Sequence, residues 1–96
     1  MNPFKILLTD HAISDLEGMS QEAKAQVLHD IKSLERSPFP QGSRIKRLKR
    51  FRVPVYRLRS GDYRVLHLIR DEIIVLHVID RKLLDRAIKR LKIQKL

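Results

Sequence analysis

The sequence predicts a small α+β domain whose elements run β-α-α-β-β-β-α. Three observations carry this. Apolar residues recur at helical spacing in two stretches: Ala12, Ile13, Leu16 and Met19, then Ala23, Val27, Ile31 and Leu34. Residues 53–79 change to strand-type runs broken by two short turns, Ser60-Gly61-Asp62 and Arg70-Asp71-Glu72. A third helical stripe then follows, made of Leu83, Leu84, Ala87, Ile88 and Leu91. Hairpin turns imply a mainly antiparallel sheet, with the helical hairpin on one face and the C-terminal helix after the last strand. A length of 96 residues suits a single domain, 1–96, with a modest core.

Residues 3–8 read as a short strand with Phe4, Ile6 and Leu8 on one face. Thr9-Asp10 can cap a first helix by accepting bonds from its free amides, and Gly18 lies where that helix would end. Ser20 restarts with a second cap, and Glu22 suits the positive end of the new helix dipole. Ser37-Pro38 stops the second helix, because proline disfavours helical geometry in the residue before it. Pro38 to Ser43 is a loop by composition. Residues 53–59, 62–70 and 72–79 are the three further strands. In the first, Val55, Arg57 and Arg59 share one face and Tyr56 and Leu58 the other. Pro54 marks that strand as an edge, at least at its start. The almost wholly apolar run Ile73 to Ile79 is expected to be central and covered on both sides.

Charge is divided sharply along the chain. Residues 1–40 hold four basic and six acidic side chains, a net of −2, whereas residues 41–96 hold 17 basic and five acidic, a net of +12. A localised basic surface is the footprint of a polyanion binder, with nucleic acid first among polyanions and an acidic protein segment second. Six of the nine residues Arg44 to Arg52 are basic, namely Arg44, Lys46, Arg47, Lys49, Arg50 and Arg52. Ile45, Leu48 and Phe51 recur between them and can anchor the segment. The run Val55-Tyr56-Arg57-Leu58-Arg59-Ser60-Gly61-Asp62-Tyr63-Arg64-Val65 sets three arginines around a tight turn. A guanidinium is always charged and grips phosphate with a planar fork, so this hairpin reads as a pre-arranged phosphate site.

The absence of cysteine excludes a disulfide framework and a thiolate metal site. His11, His29, His67 and His77 show no metal-ligand spacing, so neither metal nor cofactor is expected. The apolar run Ile6-Leu7-Leu8 is too short for a signal peptide or a membrane span, and a cytoplasmic protein without membrane contact is expected.

Through its order of elements and its hairpin, the chain resembles the RelE/ParE superfamily of toxins from bacterial type II toxin–antitoxin systems. The specific part is Tyr56-Arg57-Leu58-Arg59 with Gly61-Asp62-Tyr63-Arg64-Val65, since the family shows a similar pattern on two consecutive strands. Ile79-Asp80-Arg81 matches where the family often has a His-Arg pair after its last strand. The wording is closer to the RelE branch. That resemblance implies a ribosome-dependent mRNA endoribonuclease that inhibits translation without a metal. A ribose 2′-hydroxyl would attack the adjacent phosphate and the 5′-oxygen would leave. Arg57, Arg64 and Arg81, with Arg59 as a fourth, are the residues implied to grip and stabilise the phosphate. The basic run Arg44, Lys46, Arg47, Lys49, Arg50 and Arg52 would hold RNA by charge. The implied partners are a cognate antitoxin, mRNA and the ribosome. The alternatives are a ParE-like inhibitor of DNA gyrase and a non-toxic nucleic-acid-binding module on the same scaffold.

The chain departs from the family in three places. Lys82 to Arg86 contains no tyrosine where ribonuclease members often have one, Asp80 replaces the frequent histidine, and His67 stands where an aromatic tyrosine is common. Activity would then rest on the arginines, with His67 or Asp85 assisting, or be weak or gyrase-directed. Each residue also has a structural reading. Arg57 and Arg59 can balance acidic neighbours, and Arg64 and Arg81 can pair with Asp62, Asp80 or Asp85. His67 and His77 can be hydrogen-bonded structural histidines, and the Leu83 to Leu91 stripe can be core or part of an antitoxin groove.

Overall fold

The computed structural model describes residues 3–91; residues 1–2 and 92–96 of the expected domain lie outside the described residues. Strand β1 (Ile6–Leu8) leads into helices α1 (Asp10–Glu17) and α2 (Gln21–Lys32), the latter extended by a 3-10 turn at Ser33–Glu35. Four strands follow: β2 (Ile45–Leu48), β3 (Val55–Ser60), β4 (Tyr63–Ile69) and β5 (Ile73–Asp80). A 3-10 turn at Arg81–Leu83 then opens α3 (Leu84–Arg90). The sheet runs β1-β5-β4-β3-β2, parallel between β1 and β5 and antiparallel elsewhere. The caps are those the sequence suggests: the Thr9 and Ser20 side chains accept from the amides of Ala12 and Ala23 at 3.1 and 3.2 Å. Gly18 ends α1 in right-handed geometry (φ −80°), so no glycine-specific conformation is needed there.

Two expectations are corrected. The basic run, for which the sequence predicts no element, is anchored by Ile45, Leu48 and Phe51 as expected, but four of its residues form the additional strand β2, paired with β3. Consequently β3 is internal and β2 is the edge; Pro54 lies just before the ladder, where its missing N–H costs nothing. The spacing of Ile45 and Leu48 looks one-sided on a helix, but on a strand it puts them on opposite faces. Ile45 enters the core beneath the helical hairpin, and Leu48 packs with Phe51 on the other side. Lys46 and Arg47 lie exposed on this edge, charges of the kind that keep an edge strand from pairing with another chain.

The sheet separates two cores. Ala12, Leu16, Val27, Ile31 and Leu34 from the helical segments meet Leu58, Val65, Ile73, Val75 and Val78 on one face. On the other face Phe51, Val55 and Leu66 meet Ile88 of α3. β5 contributes to both sides, with Ile73, Val75 and Val78 buried beneath the helices and Leu76 and Ile79 half-buried on the α3 side. Beyond the short β1, side chains of the α1 segment satisfy the polar groups of β5. The Thr9 hydroxyl donates to the Leu76 carbonyl at 2.7 Å, and the Asp15 carboxylate accepts from the Val78 amide at 2.9 Å.

His67 is fully buried on the helical-hairpin face. Its Nε2 lies 3.0 Å from the Pro38 carbonyl, an acceptor only, so Nε2 carries the proton. The ring stacks on Tyr56 with centroids 5.7 Å apart, and Nδ1 has no hydrogen-bond partner. Burial, first among the causes, pushes the His67 pKa below the ordinary histidine value, and Arg44 pushes the same way against the Pro38 bond. The unfolded chain therefore binds a proton that the folded chain refuses. The stability this histidine provides is complete above pH ~6.5 and is lost as pH falls toward the depressed folded value. Denaturant unfolding at pH 7.5 and 5.5 should show a loss that is smaller in His67→Phe; equal losses in the two proteins would contradict it.

Candidate functional site

The site is built by strand register. Directly paired residues of an antiparallel ladder point to the same face. Arg57 of β3 stands opposite Lys46 on β2 and Leu66 on β4, while Arg59 stands opposite Arg64, which itself faces Ile79. Lys46, Arg57, Arg59 and Arg64 thus share the face away from the helical hairpin. Arg81 begins the 3-10 turn after β5, and its amide donates to the Asp62 carbonyl at 2.9 Å. This bond extends the β4–β5 ladder by one step and brings Arg81 to the turn that precedes Arg64.

Ser60 and Tyr63 are the last pair of the β3–β4 hairpin, so Gly61-Asp62 is a two-residue turn. Gly61 has φ +56°, the left-handed value that a hairpin turn needs at its first position and that a side chain would strain. Arg64 Nη1 donates to the Gly61 carbonyl at 2.9 Å and to the Tyr63 carbonyl at 2.8 Å. Arg81 Nε lies 3.5 Å from Asp62 Oδ1. From the helical side, the Ser60 hydroxyl donates to Asp30 at 2.6 Å and ties the end of β3 to α2. The cluster carries uncompensated positive charge. Burial, then Arg57, Arg59 and Arg81, lower the affinity of Arg64 for its proton, and Asp62 raises it. Burial and then Arg59 do the same to Arg57. A phosphate here would relieve like-charge repulsion and accept several N–H donors.

The basic run divides. Lys46 joins the arginine face through its register with Arg57. Arg47 is paired with Tyr56 and so points to the other face, while Lys49, Arg50 and Arg52 are exposed in the segment that leads to β3. Arg44 is half-buried: its guanidinium donates to the Ser37 carbonyl at 3.2 Å and also to the Ser33 hydroxyl. These bonds hold the connection between α2 and β2 from the helical side. His67 is on the opposite face from the arginines and buried, so it cannot assist them. Asp85 is exposed in the first turn of α3. Asp80, where the family often has histidine, accepts from the Lys82 amide at 2.8 Å and caps the 3-10 turn. Tyr63 packs against the core beneath the helices.

A groove of about 740 Å³ lies between the start of α1 and α3; Leu83, Ala87 and Leu91 of the C-terminal stripe line it, while the histidines opposite them were not foreseen as part of it. His11 and His77 stack there with centroids 4.9 Å apart, and His77 Nδ1 lies 3.4 Å from Asp15. The spacing of His11 and Asp15, one helical turn apart, was the available signal for half of this group. Among the described residues no group of His, Asp or Glu is arranged to hold a metal ion, and no helix is long and apolar enough to cross a membrane.

Comparison with known proteins bears on the fold. Neither protein-family models nor curated proteins give a significant match to the sequence. Solved structures do. The toxin–antitoxin complex RelBE2 from Mycobacterium tuberculosis is 28% identical with a TM-score of 0.71, over 82% of this chain and 99% of that one. The archaeal RelE–RelB complex from Pyrococcus horikoshii is 21% identical with a TM-score of 0.69, over 82% and 96%. A mutant of the E. coli toxin RelE in the free state is 17% identical with a TM-score of 0.58, over 95% and 99%. At such identities the second and third carry the fold alone. In its element order and its sheet the chain is similar to these RelE structures and shares their fold.

Proposed function

We propose that the chain is the toxin of a toxin–antitoxin pair and acts as a ribosome-dependent mRNA endoribonuclease. The observation that carries this reading is the single sheet face on which Lys46, Arg57, Arg59 and Arg64 converge, with Arg81 at its hairpin turn. Cleavage by the neighbouring hydroxyl forms a bond from the 2′-oxygen to phosphorus and breaks the bond from phosphorus to the 5′-oxygen. The 2′-hydroxyl loses its proton, and the departing 5′-oxygen takes one. The intermediate carries extra negative charge on its phosphoryl oxygens, and fixed guanidinium groups stabilise that charge more than they stabilise the ground-state phosphodiester. Arginine is a poor proton carrier at neutral pH. Lys46 is the lysine on this face, and its ammonium can donate to the leaving oxygen. Exposed Lys49, Arg50 and Arg52 extend the positive surface along the path of an RNA strand.

Antitoxin binding belongs to the same reading, because similar structures were solved as RelE–RelB complexes. An acidic, extended partner segment laid over Arg57, Arg59 and Arg64 would neutralise the cluster and block RNA.

The test is cleavage of mRNA on programmed ribosomes, beside free mRNA and a gyrase reaction on supercoiled DNA. Ribosome-dependent cuts are the expected result. Intact mRNA together with stalled gyrase–DNA cleavage complexes would overturn it in favour of a ParE-like target. Salt-sensitive RNA affinity without cleavage or gyrase arrest would leave only a binding module.

A further inference from the structure

Asp62 is the acidic residue nearest the arginines, and a phosphate-binding face has an obvious reason to exclude a carboxylate. Its geometry gives it a use. The carboxylate reaches Arg81 at Nε, 3.5 Å away, while the backbone carbonyl of the same residue accepts from the Arg81 amide at 2.9 Å. The side chains are 53% and 78% exposed for Arg81 and Asp62, so water screens the pair and it adds little to stability. A carboxylate at Nε nevertheless occupies one edge of a guanidinium and leaves its outer edge, with one N–H from each terminal amino group, open to another acceptor. The same turn fixes Arg64, whose Nη1 is held by the Gly61 and Tyr63 carbonyls.

We propose that Asp62 is a positioning residue. By holding Arg81 at Nε it turns the outer fork of that guanidinium toward the place where Arg64 presents its own free nitrogens, so that one phosphodiester meets both. This rests on the ribonuclease reading above. It also predicts two opposed effects. Removing the carboxylate takes a negative charge from beside the phosphate, which favours RNA binding; it also releases Arg81, which disfavours the chemical step. A residue that merely supported the fold would not separate binding from turnover in this way.

The experiment uses the full chain and the variants Asp62→Ala, Asp62→Asn, Arg81→Ala and the Asp62→Ala/Arg81→Ala double variant. Single-turnover cleavage is measured on programmed ribosomes. Affinity is measured for a message whose ribose at the cut site is 2′-deoxy. Asp62→Ala should lower the cleavage rate about 10-fold, as expected for loss of orientation, while binding stays equal or tightens. Asp62→Asn, which keeps an acceptor for Nε, should fall between. In the Arg81→Ala background the loss should vanish, because the two residues act as a unit. An unchanged rate, or the same loss with and without Arg81, would overturn the proposal. A readout independent of cleavage is the nitrogen-15 NMR signal of the Arg81 Nε–H group. It should exchange with solvent more slowly in the wild type than in Asp62→Ala; identical exchange in the two proteins would refute the contact. If the wild type cuts no RNA but this dependence is seen, the ribonuclease reading fails and the hold of Asp62 on Arg81 stands.

Discussion

Arg64→Ala is expected to reduce single-turnover cleavage on the ribosome by about 10²–10³-fold, the cost of deleting one pre-arranged donor from a site that stabilises developing charge. Arg64 is the best-placed member of the cluster. It stands opposite Arg59, feels the charges of Arg57 and Arg81, and is anchored by the Gly61 and Tyr63 carbonyls at 2.9 and 2.8 Å. Its guanidinium is therefore already ordered before substrate arrives, and truncation removes that ordering as well as the charge. Of its two carbonyl contacts, one belongs to the exposed turn, so water can replace the lost bonds and the fold should survive. Circular dichroism and thermal unfolding close to wild type would establish that the loss is chemical. Arg64→Lys should recover little, because an ammonium keeps the charge but not the fork. Cleavage unimpaired in a folded Arg64→Ala protein would remove the arginine face from the mechanism.

Phe51→Ala is expected to destabilise the domain by about 3–5 kcal/mol. Phe51 is 2% exposed and is the largest side chain of the core on the arginine face, where it meets Val55, Leu66 and Ile88. That core is the smaller of the two and is shared by β3, β4 and α3, so little remains to collapse into the vacated space. A domain of this size has only about 5–15 kcal/mol in total. Urea unfolding should show a lower midpoint with an unchanged slope, and a loss below ~1 kcal/mol would mean that α3 repacks onto the sheet. Phe51→Leu keeps most of the volume and should recover a large part of the stability.

Much of the fold was legible because it rests on local chemistry. Thr9 and Ser20 cap helices by contacts three residues away, and Ser60-Gly61-Asp62 closes a hairpin by its own turn geometry. The register of that hairpin then follows from alternation, which is why Arg57, Arg59 and Arg64 were readable as neighbours. Strand β2 was not legible. Its alternation is hidden because Ile45 and Leu48 serve different cores and the two residues between them are charged. Only pairing with β3 makes it a strand, and with it Lys46 arrives beside Arg57. The position of His67 escaped for a related reason. A histidine in an alternating run carries no mark of which face will be dry, and the Pro38 carbonyl that accepts its hydrogen bond lies 29 residues away. Asp80 and Asp62 show the limit of composition: one, at the end of β5, caps a turn and the other, in the β3–β4 turn, meets an arginine, a difference set by place in the fold and not by residue type.

The parallel pairing of β1 with β5 has a kinetic consequence. Residues 6–8 complete their hydrogen bonds only with residues 73–75, and Thr9 bonds Leu76 across 67 positions of sequence. Contacts of such separation raise the loop-closure cost and slow the search for the native state. During synthesis the helical hairpin can form early, but the sheet stays open at its first strand until β5 has left the ribosome. Arg81 emerges later still, so the arginine face is assembled only after all the strands of the sheet have emerged. The topology therefore leaves Lys46, Arg57, Arg59 and Arg64 without Arg81 while the earlier strands form, and joins the five only when the described fold closes.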